Sequence, residues 1–227
     1  MNALLSKYYT KSIRLSSDGF SLFDTDENGT LHRQDFQNGE NVLLSAEAQK
    51  FFRLENSNDP LDIIVATHVP MLIPEIIYDD GKAKDYLSIQ HDITHYGQHY
   101  SDRIGLYRAL YFLTQNEHTT ISSLPCQLRT VSEMTLFCQF LQEHNHPESM
   151  LVSVNDRFVD FLAMHDNQPS FVNRTFHTEA VDVLYYSMNS IQQFGFREPE
   201  IIVNYFCAPD KKLNELLQKY HQQVTIL

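Results

Sequence analysis

The chain has 227 residues, of which 42% are hydrophobic and 20% are charged, with 15 phenylalanines and 12 tyrosines. This balance excludes a disordered or fibrous protein and supplies enough apolar side chains for a packed core. The net charge of −12 disfavours binding to nucleic acid, and no apolar stretch is long enough for membrane insertion. The three scattered cysteines and a start without signal-peptide features predict a reduced, cytoplasmic protein.

The first half opens with a predicted three-stranded antiparallel meander. Two short strands and a polar turn lie within Ile13–Phe23, and Thr25–Gly29 forms a second turn before a third strand that ends near Phe36. A helix is expected at Ser45–Phe52, where apolar residues share one face. The apolar run Leu61–Thr67 is typical of a buried parallel strand.

The rest of the first half contains extra material before its last strand and helix. We interpret residues 70–103 as an insertion. Strands are expected near Leu106–Leu113 and Gln127–Val131, and a helix begins at Ser132. The helix ends in His144–Pro147, which we take as the domain boundary.

The second half begins with a similar meander and continues with alternating helices and strands. Gly195 is a predicted helix C′ residue, since glycine adopts the left-handed conformation that ends many helices. Five apolar residues of the preceding helix recur at helical spacing: Val181, Leu184, Tyr185, Met188 and Ile191. The predicted elements are two strands in Leu151–Phe161, a turn at His165–Pro169, a strand ending near Phe176, a helix at Thr178–Phe194, a strand at Glu200–Phe206, a helix from Pro209 and a strand at Val224–Leu227.

The two halves repeat one another. When the first meander is set against the second, Asp18 falls on Asp156 and Phe20 falls on Phe158. A helix and an apolar strand follow the meander in both halves. Each half therefore has the predicted order β-β-β-α-β-α-β.

This order, present twice, resembles the ribonuclease-H-like unit that is duplicated in the actin, sugar kinase and Hsp70 superfamily. It looks particularly like an uncharacterised bacterial family with an actin-like ATPase fold. The resemblance covers nearly the whole chain and is carried by the element order and by the phrases Ser12–Phe20 and Leu151–Phe158. It implies an α/β fold with a mixed sheet in each half, residues 1–147 and 148–227, and an insertion at about 70–103.

In active members of this superfamily, the turn between the first two strands of each half cradles the phosphates of ATP. Glycines allow close backbone approach there, and an acidic residue helps to hold Mg²⁺. Ordinary tight turns have a similar composition. The resemblance implies that the two turns face one interdomain cleft. The candidate remnant phosphate loops are Ser16, Ser17, Asp18 and Gly19 in the first half and Asn155, Asp156 and Arg157 in the second.

The second of these loops has no glycine, and the first has no hydroxyl residue directly after Gly19. These departures favour a non-catalytic actin-like protein-interaction module, without catalytic residues, metal or cofactor, that binds an unknown protein partner. Degenerate relatives of the fold, such as cytoplasmic parts of secretion and pilus assembly systems, bind partner segments. The alternative is an ATP-binding protein, or an ATPase or kinase-like enzyme with atypical loops, that uses ATP and Mg²⁺.

Histidine offers another candidate chemistry. His91, His95 and His99 are spaced by four residues, which would stack their rings on one face of a helix and allow zinc binding. The segment is a poor helix former and contains no His-Glu-x-x-His pattern. We therefore interpret it as an exposed polar insertion with solvated histidines.

Overall fold

The computed structural model describes residues 7–37, 44–53 and 60–227. The chain divides into two compact units, the first ending at Thr135 and the second comprising Leu136–Leu227. Within the described residues, each unit contains a five-stranded mixed sheet, and the first also contains a three-stranded antiparallel sheet. The domain limit between residues 147 and 148 stays a prediction.

The first unit begins with the expected meander. β1 and β2 pair antiparallel, as do β2 and β3, whereas β4 returns to pair parallel with β1. A parallel return requires a crossover connection, and a helix lies on that connection. The elements are β1 (Lys11–Ser16), β2 (Gly19–Thr25), β3 (Leu31–Gln37), α1 (Leu44–Phe52) and β4 (Leu61–Ala66).

An inserted subdomain follows β4. Its three strands form the separate sheet in the order β5-β7-β6, so the strand expected near Leu106–Leu113 exists but does not join the main sheet. A helix that the sequence analysis did not anticipate, α3, leads back to the main sheet. The elements are β5 (Met71–Pro74), two 3₁₀ turns (Glu75–Ile77 and Asp80–Lys82), α2 (Ala83–Gln90), β6 (Tyr96–Ile104), β7 (Tyr107–Thr114) and α3 (Gln115–Ser122).

The first main sheet is completed by β8 (Leu128–Ser132), which gives the order β3-β2-β1-β4-β8 and leads into α4 (Glu133–His144). Asp102 on β6 joins the inserted sheet to the start of α4. Its carboxylate accepts hydrogen bonds from the Ser132 N–H at 2.8 Å and from the Thr135 hydroxyl at 2.7 Å. Burial raises the pKa of Asp102, and these bonds oppose that shift.

The second unit repeats this order without an insertion. Its sheet has the order β11-β10-β9-β12-β13, with β9 parallel to β12 and β12 parallel to β13. Gly195 ends α5 in the left-handed conformation with φ of 70°, as predicted. The elements are β9 (Glu148–Val154), β10 (Phe158–His165), β11 (Gln168–Phe176), α5 (Ala180–Phe194), β12 (Glu200–Tyr205), α6 (Lys211–Tyr220) and β13 (Val224–Ile226).

Alternating residues of the central strands form the two main cores. In the first unit, Ile13 and Leu15 pack with Phe20 and Leu22. In the second, the corresponding cluster contains Val152, Val154, Val159 and Phe161. Each fully buried side chain of this size contributes about 1.5–3 kcal/mol to folding, so these strand faces fix the register of both sheets.

Strand pairing corrects the register of the repeat. Ser16 lies opposite Gly19 across the first hairpin, whereas the Asn155 N–H donates to the Phe158 carbonyl across the second. Gly19 therefore corresponds to Phe158, and the alignment of Asp18 with Asp156 was wrong by one residue. It matched phenylalanines by identity, but a one-residue shift moves a strand side chain to the opposite face of the sheet.

The opposite face of each main sheet contains an arginine ion pair. In the first unit, Arg14 on β1 binds Glu133 at the start of α4, and Tyr9 donates to the same carboxylate at 2.9 Å. In the second unit, Arg174 on β11 binds Asp160 on β10 at 2.7 and 2.8 Å. Because charges this deep need partners, each pair ties its strand to a defined neighbour.

The described helices and cysteines agree with two expectations from the sequence, the lack of a membrane-spanning helix and the lack of a disulfide. Within the described ranges, every helix is too short or too polar to cross a membrane. Among the described residues, Cys126, Cys138 and Cys207 form no disulfide. Burial raises the pKa of the Cys138 thiol far above its usual range, which makes that thiol inert.

Candidate functional site

The first candidate loop is a tight hairpin turn between β1 and β2. Ser17 and Asp18 form its two central residues, and the Ser16 hydroxyl donates to the Gly19 carbonyl at 3.3 Å. Because the strands pair up to the turn, the backbone groups of Ser16 and Gly19 face each other rather than an open loop. The turn is therefore closed by its own strands.

Gly19 is required by the packing of the sheet. Its φ is +136°, and a Cβ atom at this position would lie 2.0 Å from the Phe36 carbonyl oxygen on β3. No side chain fits at that distance, and L residues rarely adopt that φ. Gly19 is therefore explained by its close contact with the neighbouring strand β3.

The second candidate loop, between β9 and β10, is also closed. Asn155 is buried, its N–H donates to the Phe158 carbonyl at 2.9 Å, and its carbonyl accepts from the His177 ring at 3.0 Å. Asp156 and Arg157 are exposed at the tip. The corrected repeat register matches Asp18 with Arg157, so equivalent positions hold opposite charges. That the two loops face one cleft stays a prediction.

A cavity of about 470 Å³ lies beside the first loop. It is bounded on one side by the loop and on the other by α3, whose position the sequence analysis missed. Among the described residues that line it, there is no lysine or arginine, and Glu117 contributes a carboxylate. The lining residues are Leu15, Ser16, Gly19, Leu44, Thr114, Asn116, Glu117, Thr119 and Thr120.

The second unit has a smaller cavity of about 210 Å³ beside its loop. It lies near the first residues of α5 and α6, and Asp156 and Asp210 both contribute to its lining. The described lining again contains no lysine or arginine. The remaining lining residues are Val154, Asn155, His177, Ala180, Val183, Cys207, Ala208 and Leu213.

The helix N-termini beside both loops are capped by side chains of the chain itself. At α3, the Glu117 N–H donates to the Thr114 hydroxyl at 3.3 Å, and the Thr114 N–H donates to the Glu117 carboxylate at 2.7 Å. At α6, the Lys212 and Leu213 N–H groups donate to the Asp210 carboxylate at 2.8 and 3.2 Å. Free helix N-termini attract anions, but these two already carry carboxylates.

The α3 cap had a signal in the sequence. Thr114-Gln115-Asn116-Glu117 matches the capping box, in which a threonine is followed three residues later by glutamate. The prediction of a strand at Leu106–Leu113 ended directly before it. Recognition of this motif would have revealed the helix and with it one wall of the first cavity.

The three histidines of the insertion lie apart from these cavities and not on one helix. His91 follows α2 and packs 4.9 Å from the His68 ring, and His95 lies in an exposed turn. His99, on β6, contacts Asp80 at 3.3 Å and shares a 2.6 Å hydrogen bond with the Tyr96 hydroxyl, so the expectation of three solvated rings was wrong. Within the described residues, no group of three metal-binding side chains is placed to hold a metal ion.

Comparison with known proteins identifies the fold. A Bacteroides thetaiotaomicron protein with an actin-like ATPase fold and unknown function is 20% identical, with a TM-score of 0.74 over 100% of this chain and 93% of that one. The PilM-PilN type IV pilus biogenesis complex matches with 8% identity and a TM-score of 0.65, over 96% and 88%. An inorganic polyphosphate/ATP-glucomannokinase from Arthrobacter sp. strain KM matches with 9% identity and a TM-score of 0.51, over 94% and 90%.

At these identities, the likeness shows the fold alone, and it confirms the predicted duplicated actin-like architecture with an inserted segment. No curated protein matches the chain. A family model described as "Protein of unknown function (DUF3822)" matches residues 1–224. The chain belongs to this family.

Proposed function

We propose that this chain is a non-catalytic actin-like module that binds a protein partner and does not turn over ATP. The observation that carries the proposal is the side-chain capping of the α3 and α6 N-termini beside the loops. In phosphoryl transfer, the protein positions phosphates and neutralises their charge with backbone N–H groups, cations and Mg²⁺. Here the Thr114 hydroxyl accepts from the Glu117 N–H of α3, and the Asp210 carboxylate accepts from the Lys212 and Leu213 N–H groups of α6.

The loops themselves also support the proposal. Gly19 is held against β3, and Asn155 is hydrogen-bonded within its own hairpin. A phosphate in the second cavity would meet the carboxylates of Asp156 and Asp210 without a lysine or arginine among the described lining residues. These charges repel an anion, and the net charge of −12 adds to that repulsion.

Binding to a protein is supported by the fold comparison and by the surface. PilM-PilN, which has the same fold, is a complex of two proteins. The first cavity offers hydroxyl groups and two leucines, Leu15 and Leu44, a mixture suited to a peptide segment. The net charge disfavours nucleic acid, and the three scattered cysteines fit the cytoplasmic location expected from the sequence.

Phosphate release from Mg-ATP tests the absence of catalysis. We expect the wild-type chain, Asp18→Ala and the surface control Asp85→Ala to release phosphate at the same background rate. Arg157→Ala is included because Arg157 is the cation of the second loop. Turnover in the wild type that is lost in Asp18→Ala or Arg157→Ala, but kept in Asp85→Ala, would contradict the proposal and support the ATPase or kinase-like alternative.

Site-specific photocrosslinking tests the partner. A photoreactive residue in place of Asn116 lies at the first cavity, and one in place of Asp85 on α2 serves as the control. We expect one discrete adduct at position 116 in the native cell extract, competed by unlabelled wild-type chain and unaffected by added ATP. An adduct that ATP removes would support the nucleotide-binding alternative, and labelling equal to the control would contradict a partner at this cavity.

A further inference from the structure

Helix α5 exposes large apolar side chains and buries small polar ones. Its buried residues include Ser187 and Ser190, whose hydroxyls bond to carbonyls of the helix itself. In contrast, Val181 is 49% exposed, Tyr185 is 63% exposed and Met188 is 43% exposed. Of the five apolar residues whose spacing predicted this helix, these three face solvent. Packing among the described residues leaves roughly half of each of these three side chains exposed.

The three exposed side chains form a continuous stripe, which we call the α5 stripe: Val181, Tyr185 and Met188. Their spacing of i, i+4 and i+7 places them on one face of the helix, over roughly 10 Å of its length. Two residues of the stripe, Tyr185 and Met188, line one wall of an open groove of about 500 Å³. The groove is also lined by Asn189, Ile191, Gln192, Arg197, Glu198, Pro199, Tyr220, His221, Gln222 and Gln223.

The charges around the stripe are separated along the helix. No charged residue occurs from Val183 to Phe196, in a chain of which 20% is charged. Glu179 and Asp182 lie at the start of α5, whereas Arg197 and then Glu198 follow its end, and both border the groove. A charge-free centre with charged edges is typical of the core and rim of a protein–protein interface.

This arrangement is complementary to itself, and we infer that the α5 stripe binds a second copy of this chain, with the two α5 helices antiparallel about a twofold axis. Antiparallel packing brings the acidic first turn of each helix towards Arg197 of the other copy. A parallel arrangement would instead place Glu179 and Asp182 beside the same residues of the second copy. Twofold interfaces require this kind of self-complementary surface.

A register in which Tyr185 packs against Met188 of the second copy buries the stripe symmetrically. Val181 then lies opposite Gln192 of the second copy, and each Tyr185 enters the groove beside Tyr220 of the other chain. Tyrosine is favoured at the centre of interfaces because it buries a large area and loses little conformational entropy. This inference depends on α5 and the groove, not on the loop cavities, so it is independent of the proposed function.

Sedimentation equilibrium across a micromolar concentration series tests the inference. We expect a monomer–dimer equilibrium for the wild type and a dimer dissociation constant at least about tenfold higher in Tyr185→Glu. The matched control is Ile89→Glu, which adds the same charge at a residue on α2 that is 75% exposed and lies in the other unit. This control should dimerise like the wild type. Circular dichroism establishes that each variant is folded.

A charge-reversal pair tests the antiparallel orientation. Arg197→Glu should weaken the dimer, and combining it with Glu179→Lys should restore the affinity if the two positions meet across the interface. A wild-type chain that stays monomeric throughout the series would overturn the inference and leave the stripe to a different protein. A dimer that Tyr185→Glu does not weaken, or that the double variant does not restore, would also overturn it.

Discussion

The two main sheets share one strand order but contain their buried arginine at different positions. In the first sheet, Arg14 on β1 reaches Glu133 on α4, whereas Ser153 occupies the corresponding position on β9. In the second sheet, the ion pair joins Asp160 to Arg174, where the first sheet has Ser21 and Asp35. The backbone arrangement therefore does not require one particular polar contact. Each half forms a different buried ion pair.

The hairpins differ in the same way. At equivalent positions, the first half has Gly19 against the β3 backbone, and the second has the buried ring of Phe158, which lies 3.8 Å beneath the Arg174 guanidinium. The first hairpin has a residue without a side chain at this position, whereas the second has a large side chain that is packed and buried. In both hairpins, the strands pair right up to the residues that flank the two central positions of the turn.

The largest expected effect is on the first ion pair. Glu133→Gln leaves the Arg14 guanidinium buried without its counter-charge, and we expect the free energy of unfolding to fall by about 3–5 kcal/mol. Asp160→Asn should cost less, because Arg174 is 14% exposed whereas Arg14 is 3% exposed. Urea denaturation of both variants measures the difference. Equal losses would mean that solvent access does not distinguish the two pairs.

The next effect concerns the hairpin glycine. Gly19→Ala introduces a Cβ against the Phe36 carbonyl in an unfavourable backbone conformation, so we expect a loss of roughly 3 kcal/mol in urea denaturation. Glu27→Ala, an exposed change in the next turn, should stay within about 0.5 kcal/mol of the wild type. A Gly19→Ala variant as stable as this control would show that β3 moves aside readily.

A smaller loss of stability is expected when the cap of α3 or of α6 is removed. Thr114→Ala and Asp210→Ala each remove a cap and should each lower the free energy of unfolding by about 1 kcal/mol. Thr114→Ser and Asp210→Asn keep an acceptor oxygen at each cap and should recover most of that stability. If the conservative variants are as unstable as the alanine variants, the caps do not act through these hydrogen bonds.

The sequence was sufficient for most of the backbone architecture. The apolar runs that became β4 and β12 identified the buried parallel strands, and Gly195 marked the end of α5 because few other residues adopt its positive φ. These signals depend on local conformation or on burial on both faces of a sheet. Both leave a clear pattern in the sequence.

The rest depended on tertiary contacts. Apolar spacing predicted α5 but did not reveal that Tyr185 and Met188 face solvent, since the helix has more apolar residues than one buried face needs. The requirement for Gly19 comes from β3, a strand more than ten residues away. The site cavities likewise depend on α3 and α6, which approach the loops only in the fold.

The smallest effect is a pH dependence at the start of α5. Hydrogen bonds from the Thr178 and Glu179 N–H groups hold the pKa of Asp182 below its usual value of 3.8. The unfolded chain therefore binds this proton more tightly. The stabilisation is complete above the ordinary pKa and is lost as the pH falls through the lower folded pKa.

Thermal unfolding of Asp182→Asn and the wild type from neutral to acidic pH measures this effect. We expect the asparagine variant to have the lower Tm at neutral pH and the difference to close as the pH falls below about 4. A difference in Tm that does not change with pH would contradict the role given to the Asp182 charge.

The most direct test of the central claim, that both loops are closed to phosphate, is the Tm of the wild-type chain in a titration with Mg-ATP. A ligand that binds the native state raises the Tm by mass action, by about 2.7 kcal/mol of stability at a hundredfold excess over its Kd. We predict no rise beyond that produced by the same concentration of magnesium sulfate. A rise that increases with ATP concentration, and that Asp18→Ala abolishes, would contradict the account.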